Sequence, residues 1–350
     1  MTTASPSSPV FVSGAAAKAV FQWKDAVSAL QAGYARPFDA ASTPPRTVAT
    51  GGGAALRTLP AIPAGGRYFG AKLMGMAMAG ADPGCEYVIV LFDHATGRIA
   101  AFVDGNQVTG LRTAATSAAA LDRLAPERPA RLGVLGSGLE ASMHTRAFAA
   151  VRSLTEVVVF SPTPQRRQDF AREISEELGV PVRAVDEPRA AVEGADIVLA
   201  AARSRGEKPI LFGDWLQQGT TVVSIGSTVP NQREIDASVV ERADLIVCDV
   251  LEEVLEETGD MLAAAKAGVA FRDKSFSMNA LLAGDLDQRR GSAVLPMFKS
   301  VGSGVQDVIV AEVILTKALE AGQVTALPIA FETKRPKGIR KEKTDGHVQP

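Results

Sequence analysis

Three cations in the first third of the chain are candidates for holding a ligand. Arg46 follows Thr-Pro-Pro, Lys72 sits in Gly70-Ala-Lys72, and Arg112 opens Arg112-Thr-Ala-Ala-Thr-Ser117. Taken singly, each reads as a surface charge, so the case for them is collective. A second kind of chemistry is written in Arg131-Leu-Gly-Val-Leu-Gly136-Ser137-Gly138-Leu139-Glu140-Ala141. An apolar run enters a glycine turn, and the turn opens an Ala-rich amphipathic segment. That is the strand–turn–helix start of a dinucleotide-binding βαβ unit. Gly136 permits the tight turn, and Gly138 has no side chain to keep a pyrophosphate from the helix N-terminus. Ala141 lets helix and strand pack closely. The competing reading, a glycine turn made only for packing, is set aside because of the pattern in the next 130 residues.

Beyond the turn, strand alternates with helix. Strands are expected at 131–135, 156–160, 180–185, 196–201, 220–225 and 244–248, and helices at 139–151, 164–178, 187–194, 211–217, 235–242 and 250–267. The alternation predicts a doubly wound parallel sheet, a Rossmann domain over 127–304. Its strands lack polar alternation, as in Ile197-Val-Leu-Ala-Ala, which is expected where helices cover both faces. The second strand, Val157-Val-Val-Phe160, ends in Ser161-Pro-Thr163-Pro-Gln-Arg166-Arg167 with no carboxylate for ribose hydroxyls. Ser161 and Thr163 can donate to a phosphate and Arg166 or Arg167 can pair with its charge, so NADP(H) is preferred, with NAD(H) the alternative.

The elements ahead of this unit must carry the cations. Residues 15–34 have helical periodicity, and 40–45 form a loop that delivers Arg46. Strands are expected at 55–62, 67–74, 87–92 and 98–103, with Asp93–Gly97 as a hairpin loop. A helix over 108–124 begins near Arg112. Several antiparallel strands before the glycine turn mean a separate α+β domain, 13–126. A last helix over 298–319 and a short strand over 325–331 return to it, so that about 305–333 complete it. Residues 1–12 read as an unstructured leader and 334–350 as an unstructured basic tail.

The 350 residues are 46% hydrophobic and 22% charged, enough for two domains with a sizeable core. A net charge of −2 sets up no field that would recruit nucleic acid or an anionic membrane. Three His and two Cys are too scattered for a metal site or a disulfide framework. No apolar run is long enough to span a bilayer, and no signal pattern opens the chain, which suits a cytoplasmic enzyme. His144 takes a packing reading, and Glu252, Glu253, Glu256 and Glu257 read as a solvated helix face. Met74, Met76 and Met78 are expected as adaptable pocket walls.

Four ordered motifs resemble the ornithine cyclodeaminase/mu-crystallin family over about residues 20–330. They are Val108-Thr-Gly-Leu-Arg112-Thr-Ala-Ala-Thr-Ser, Gly133-Val-Leu-Gly-Ser-Gly138-Leu-Glu-Ala, Ser224-Ile-Gly-Ser-Thr228-Val-Pro230 with Arg233-Glu-Ile-Asp236, and Phe298-Lys-Ser-Val-Gly302-Ser-Gly-Val-Gln-Asp307. The resemblance implies a homodimer joined through the N-terminal sheets, a nicotinamide cofactor, and a small amino or imino acid in the cleft. It implies that Arg46, Lys72 and Arg112 bind the substrate carboxylate, which suits three cations that fix one α-carbon. It further implies cofactor contacts from Thr113, Gly136, Ser137, Gly138, Leu139, Glu140, Ser227, Val229 and Ser303, with Asp307 near the nicotinamide as an orienting residue.

Cyclodeaminases of the family carry an Asp in the loop after the fifth Rossmann strand, and Thr228 stands there in this chain. A Thr hydroxyl cannot serve as a carboxylate base near neutral pH. The expectation is therefore reduction of a small imino acid, of the Δ1-pyrroline-2-carboxylate or Δ1-piperideine-2-carboxylate type, to the L-amino acid. Lys72 or Thr228 would supply the proton. Ornithine cyclodeamination, an alanine-dehydrogenase-like reaction and non-catalytic binding of NADP remain as alternatives.

Overall fold

Two sheets divide the work in a computed structural model of the protein, which describes residues 8–37, 39–79, 83–202 and 208–334. The N-terminal sheet comprises β1 (Val10–Val12), β2 (Thr47–Gly51), β3 (Ala54–Ala61), β4 (Tyr68–Ala77), β5 (Cys85–Asp93) and β6 (Ile99–Asp104). The Rossmann sheet comprises β7 (Ala130–Leu135), β8 (Leu154–Phe160), β9 (Val182–Ala184), β10 (Ile197–Ala200), β11 (Thr221–Ser224), β12 (Leu245–Cys248), β13 (Ser275–Ser277) and β14 (Pro296–Lys299). A final strand, β15 (Thr325–Ala326), returns to the first sheet and pairs antiparallel with β1.

The Rossmann sheet runs β13-β12-β14-β11-β10-β7-β8-β9, and its pairs are parallel. The chain leaves β7 toward β8 and β9, then crosses back to β10. That reversal opens a crevice at the carboxyl ends of β7 and β10, where ligands of such sheets bind. β7, β10, β11, β12 and β14 are buried almost throughout, which explains their lack of polar alternation.

The first sheet runs β15-β1-β6-β5-β4-β3-β2, antiparallel apart from the β1–β6 pair. On β4 the side chains of Tyr68, Lys72 and Met74 are buried, while Phe69, Ala71 and Leu73 are only half covered. The register places Ala71 opposite Val90 and Leu73 opposite Val88, and Val90 opposite Phe102. The half-covered face is thus a continuous apolar surface. Helices Gly105–Leu124 and Gly304–Glu320 lie against the other face.

Several expectations change. Val10–Val12 are a strand, where the unstructured leader was expected to run to residue 12; residues 1–7 and 335–350 lie outside the described residues. The helix expected over 15–34 is two, Gly14–Val20 and Trp23–Tyr34, with Phe21 and Gln22 extended between them. Both halves bury into one core, so the apolar spacing runs through the break. The span 250–267 likewise divides at the extended Thr258, into Leu251–Glu257 and Gly259–Lys266. Residues 213–215 form only a 3-10 turn. β2, β13 and β14 were not expected. β14 is four buried residues, Pro296 to Lys299, too short for periodicity to separate strand from helix, and the last helix starts only at Gly304. Among the described residues no helix is long and apolar enough to cross a membrane, and no cluster of three or more His, Cys, Asp or Glu could hold a metal ion.

Candidate functional site

The glycine turn lies at the crevice between β7 and β10. Gly136 has φ +124°, and a Cβ there would stand 2.6 Å from the Ala201 carbonyl oxygen. Gly138 is the opposite case: among the described residues nothing lies within 4 Å of where its Cβ would be. It precedes the Leu139–Val151 helix, whose N-terminus no side chain caps. An open, uncapped helix start fits the pyrophosphate of a dinucleotide. Leu139 is exposed beside it, and Ser137 donates from its hydroxyl to Ser161 Oγ at 2.8 Å, joining the turn to the end of β8.

At that end Thr163 and Arg166 are exposed, whereas Ser161 is buried. Arg167 donates to the Ser161 carbonyl at 2.9 Å and pairs with Asp186, so it braces the turn. Of the two arginines considered for a 2′-phosphate, Arg166 is the one facing solvent.

A cleft of about 160 Å³ is lined by Arg112, Thr113, Glu140, Gly226, Thr228 and Gly302, among others. Arg112 and Thr113 come from the first turns of the Gly105–Leu124 helix, capped by Asp104, whose side chain accepts from the Asn106 amide. Thr228 comes from the loop after β11. Its amide and hydroxyl both lie on the Gln232 side-chain oxygen, at 3.1 and 3.3 Å. Glu234 anchors that loop. Its carboxylate accepts from Ser224 Oγ and from the amides of Ala202, Ile225 and Gly226. Burial, the largest influence, pushes the Glu234 carboxyl up to about 7.

Behind the cleft, Asp307 holds two of the cations. Lys72 Nζ lies 3.0 Å from its carboxylate and Arg112 Nε 2.9 Å, and all three side chains are buried. Arg112 also donates to Gln306 Oε1 at 2.8 Å. Burial pulls the Lys72 ammonium down to about 8; Asp307 opposes the fall, while the charges of Arg112 and Arg46 add to it. Gly302, at φ +84°, presses its backbone against Arg112, where a Cβ would meet a guanidinium nitrogen at 2.5 Å. Arg46 reaches the other side of the same residue, donating to the carbonyls of Val301 and Gly302 at 3.3 Å.

Arg46 also pairs with Glu253, through Nε at 2.7 Å and through Nη2. Glu253 is buried, unlike Glu252, Glu256 and Glu257, so the expectation of one solvated acidic face fails at this residue. No single-helix spacing rule flags it, because its partner is 207 positions away.

Other expected residues sit differently. Asp307 is enclosed by protein cations beneath the cleft. The Ser227 hydroxyl is buried and donates to the Gln232 carbonyl at 2.6 Å. Val229 contributes a backbone carbonyl that accepts from the Gln232 and Gly259 amides. Ser303 Oγ lies 3.2 Å from Tyr34 OH and lines a larger cavity beyond Arg46. Met74, Met76 and Met78 line neither cavity, and Met78 is exposed. His144 is fully buried between the Glu140 carbonyl and Ser117 Oγ. Burial holds its pKa down to about 4, so it is neutral packing.

Comparison with known proteins agrees with this geometry. The sequence model of the ornithine cyclodeaminase/mu-crystallin family matches residues 12–322. An iminosuccinate reductase of Paracoccus denitrificans is 33% identical over 237 residues, 68% of this chain and 72% of that protein. A Δ1-pyrroline-2-carboxylate reductase of Bacillus cereus is 30% identical over 237 residues, 67% of this chain and 72% of that protein. The solved structure of the Thermococcus litoralis Δ1-pyrroline-2-carboxylate reductase, in complex with NADH and L-proline, superposes with a TM-score of 0.82 at 26% identity. It covers 91% of this chain and 100% of that one.

Proposed function

Because the chain belongs to the ornithine cyclodeaminase/mu-crystallin family, we propose that it is a nicotinamide-dependent reductase of a small cyclic imino acid, forming the L-amino acid. One observation carries the reading: Arg112 and Thr228 face one cleft beside the open glycine turn, with Lys72 and Asp307 directly behind Arg112. When bound there, the nicotinamide supplies a hydride from its C4 carbon. Arg112 and Lys72 clamp the carboxylate and so fix the adjoining C=N carbon in the cleft, while Arg46, expected as a third clamp, is held by Glu253 and braces Gly302 from the far side. Reduction of the C=N bond would also need a proton at the nitrogen. Lys72 is protonated below about pH 8 and can give that proton, while Thr228 can orient a water. Thr228 offers no carboxylate base, which weighs against cyclodeamination.

Thr163 and Arg166, exposed at the end of β8, support NADPH as the preferred cofactor, with NADH the alternative, whereas the buried Ser161 hydroxyl is engaged by Ser137 and the Thr163 carbonyl. Residues 13–126 with about 305–333 would form the substrate-binding and dimerisation part. The apolar face of β4, β5 and β6 supports a homodimer joined sheet to sheet, since a patch of that kind on a monomer would face water. The direct test is consumption of NADPH or NADH by the purified protein with Δ1-pyrroline-2-carboxylate and Δ1-piperideine-2-carboxylate, with proline or pipecolate as product. Silence with both rings and both cofactors refutes the reading.

A further inference from the structure

Glu253 brings a negative charge into the site from the Rossmann side, and its position has a consequence for the substrate. Around Gly302 stand three cations, Arg46, Lys72 and Arg112. Asp307 is committed to two of them and Glu253 to the third. Lys72 and Arg112 thus share the single carboxylate of Asp307, while Arg46 has Glu253 to itself. Asp249 adds a further negative charge beside Gly302, held by donors from Val250, Ser300, Val301, Gly302 and Gln306 that carry no charge. Beyond Arg46 opens a cavity of about 480 Å³, walled by Leu59, Leu251 and Val305 and by the acidic residues Asp249, Glu252 and Glu253.

We propose that Glu253 is a specificity-determining residue that confines the enzyme to imines carrying a single carboxylate. The inference rests on the reductase reading above. One substrate carboxylate can join Asp307 on Lys72 and Arg112, which share that single carboxylate. A second carboxylate, extending past Gly302 into the larger cavity, meets Glu252 and Glu253 and finds Arg46 already engaged. To pair with Arg46 it must displace Glu253 and leave a buried carboxylate without a partner. Specificity of this kind comes from repulsion of the wrong ligand as much as from attraction of the right one. An uncharged ring meets no such opposition in that cavity.

The test compares kcat/KM for Δ1-pyrroline-2-carboxylate and for iminosuccinate, which carries two carboxylates. It uses the wild-type protein, Glu253→Gln, Glu253→Ala and, as a control on an exposed acid of the same helix, Glu256→Gln. Wild type and Glu256→Gln should favour the monocarboxylate. Glu253→Gln keeps the side chain's shape and removes its charge. It should raise the ratio for iminosuccinate at least about tenfold, chiefly through KM. A ratio within about twofold of wild type in both Glu253 variants overturns the proposal. So does an equal loss on both imines, which would mean that Glu253 only positions Arg46. Inactivity of the wild type on every imine refutes the reductase reading instead. Binding of pyrrole-2-carboxylate against aspartate to the cofactor-loaded protein then reads the charge selection without turnover. An unchanged preference in Glu253→Gln overturns the inference there too.

Discussion

Asp307→Asn removes one negative charge from beneath two buried cations and leaves a side chain of nearly the same shape. In the intact protein its carboxylate lies 3.0 Å from Lys72 and 2.9 Å from Arg112. Removing one partner of a buried ion pair costs roughly 3–5 kcal/mol. For a chain of this length, at about 2 cal/mol/K of unfolding entropy per residue, that is a fall in Tm of roughly 4–7 °C. The loss has a pH signature. The Lys72 ammonium sits at about 8 because burial lowers it and Asp307 holds it up. Without that carboxylate, burial and the neighbouring Arg112 and Arg46 charges act unopposed, and the value falls below 8. Each unit of fall corresponds to about 1.4 kcal/mol. As pH rises through the lowered value, the folded variant releases a proton that its unfolded chain still holds, so its stability recovers. The deficit in Tm is therefore largest at the acid end of a series from about pH 6 to 9 and shrinks toward pH 8. In the same variant the alkaline limb of kcat/KM, which reports loss of the charged lysine, moves to lower pH. Thermal unfolding across the series and a pH–rate profile check both arms. A variant with wild-type Tm and an unmoved alkaline limb would refute the reasoning, because Asp307 would then not be what holds the two cations.

The two turn glycines should separate by readout. Gly136→Ala puts a Cβ 2.6 Å from a carbonyl at positive φ and should lower Tm, while Gly138→Val enters open space and should keep Tm but weaken NAD(P)H binding, measured by titration, about tenfold or more. Arg166→Ala should raise the KM for NADPH several-fold and leave that for NADH unchanged; equal effects on both would remove the 2′-phosphate assignment. Thr228→Asp should lower imine reduction, and release of ammonia from ornithine by that variant would identify position 228 as the branch point.

The glycine turn and the βα alternation were legible because they are local. A tight turn needs Gly136 whatever surrounds it, and a buried parallel strand is apolar throughout. The end of β8 was legible for the same reason, down to its missing carboxylate, although only the fold separated Arg166 in solvent from Arg167 against Asp186. β14 was not legible, since four residues, Pro296 to Lys299, carry no period of their own.

By itself, the chain's residue order determined the fold class and picked out the glycine turn, both matters of short-range spacing and residue type, while the three cations were picked out as candidates only together with the family resemblance. Tertiary structure alone decided how those cations are neutralised. Lys72 and Arg112 meet Asp307 across 235 and 195 positions, and Arg46 meets Glu253 across 207. Charge balance in a buried site depends on distance in space and on burial, and neither is written in the spacing of residues along the chain.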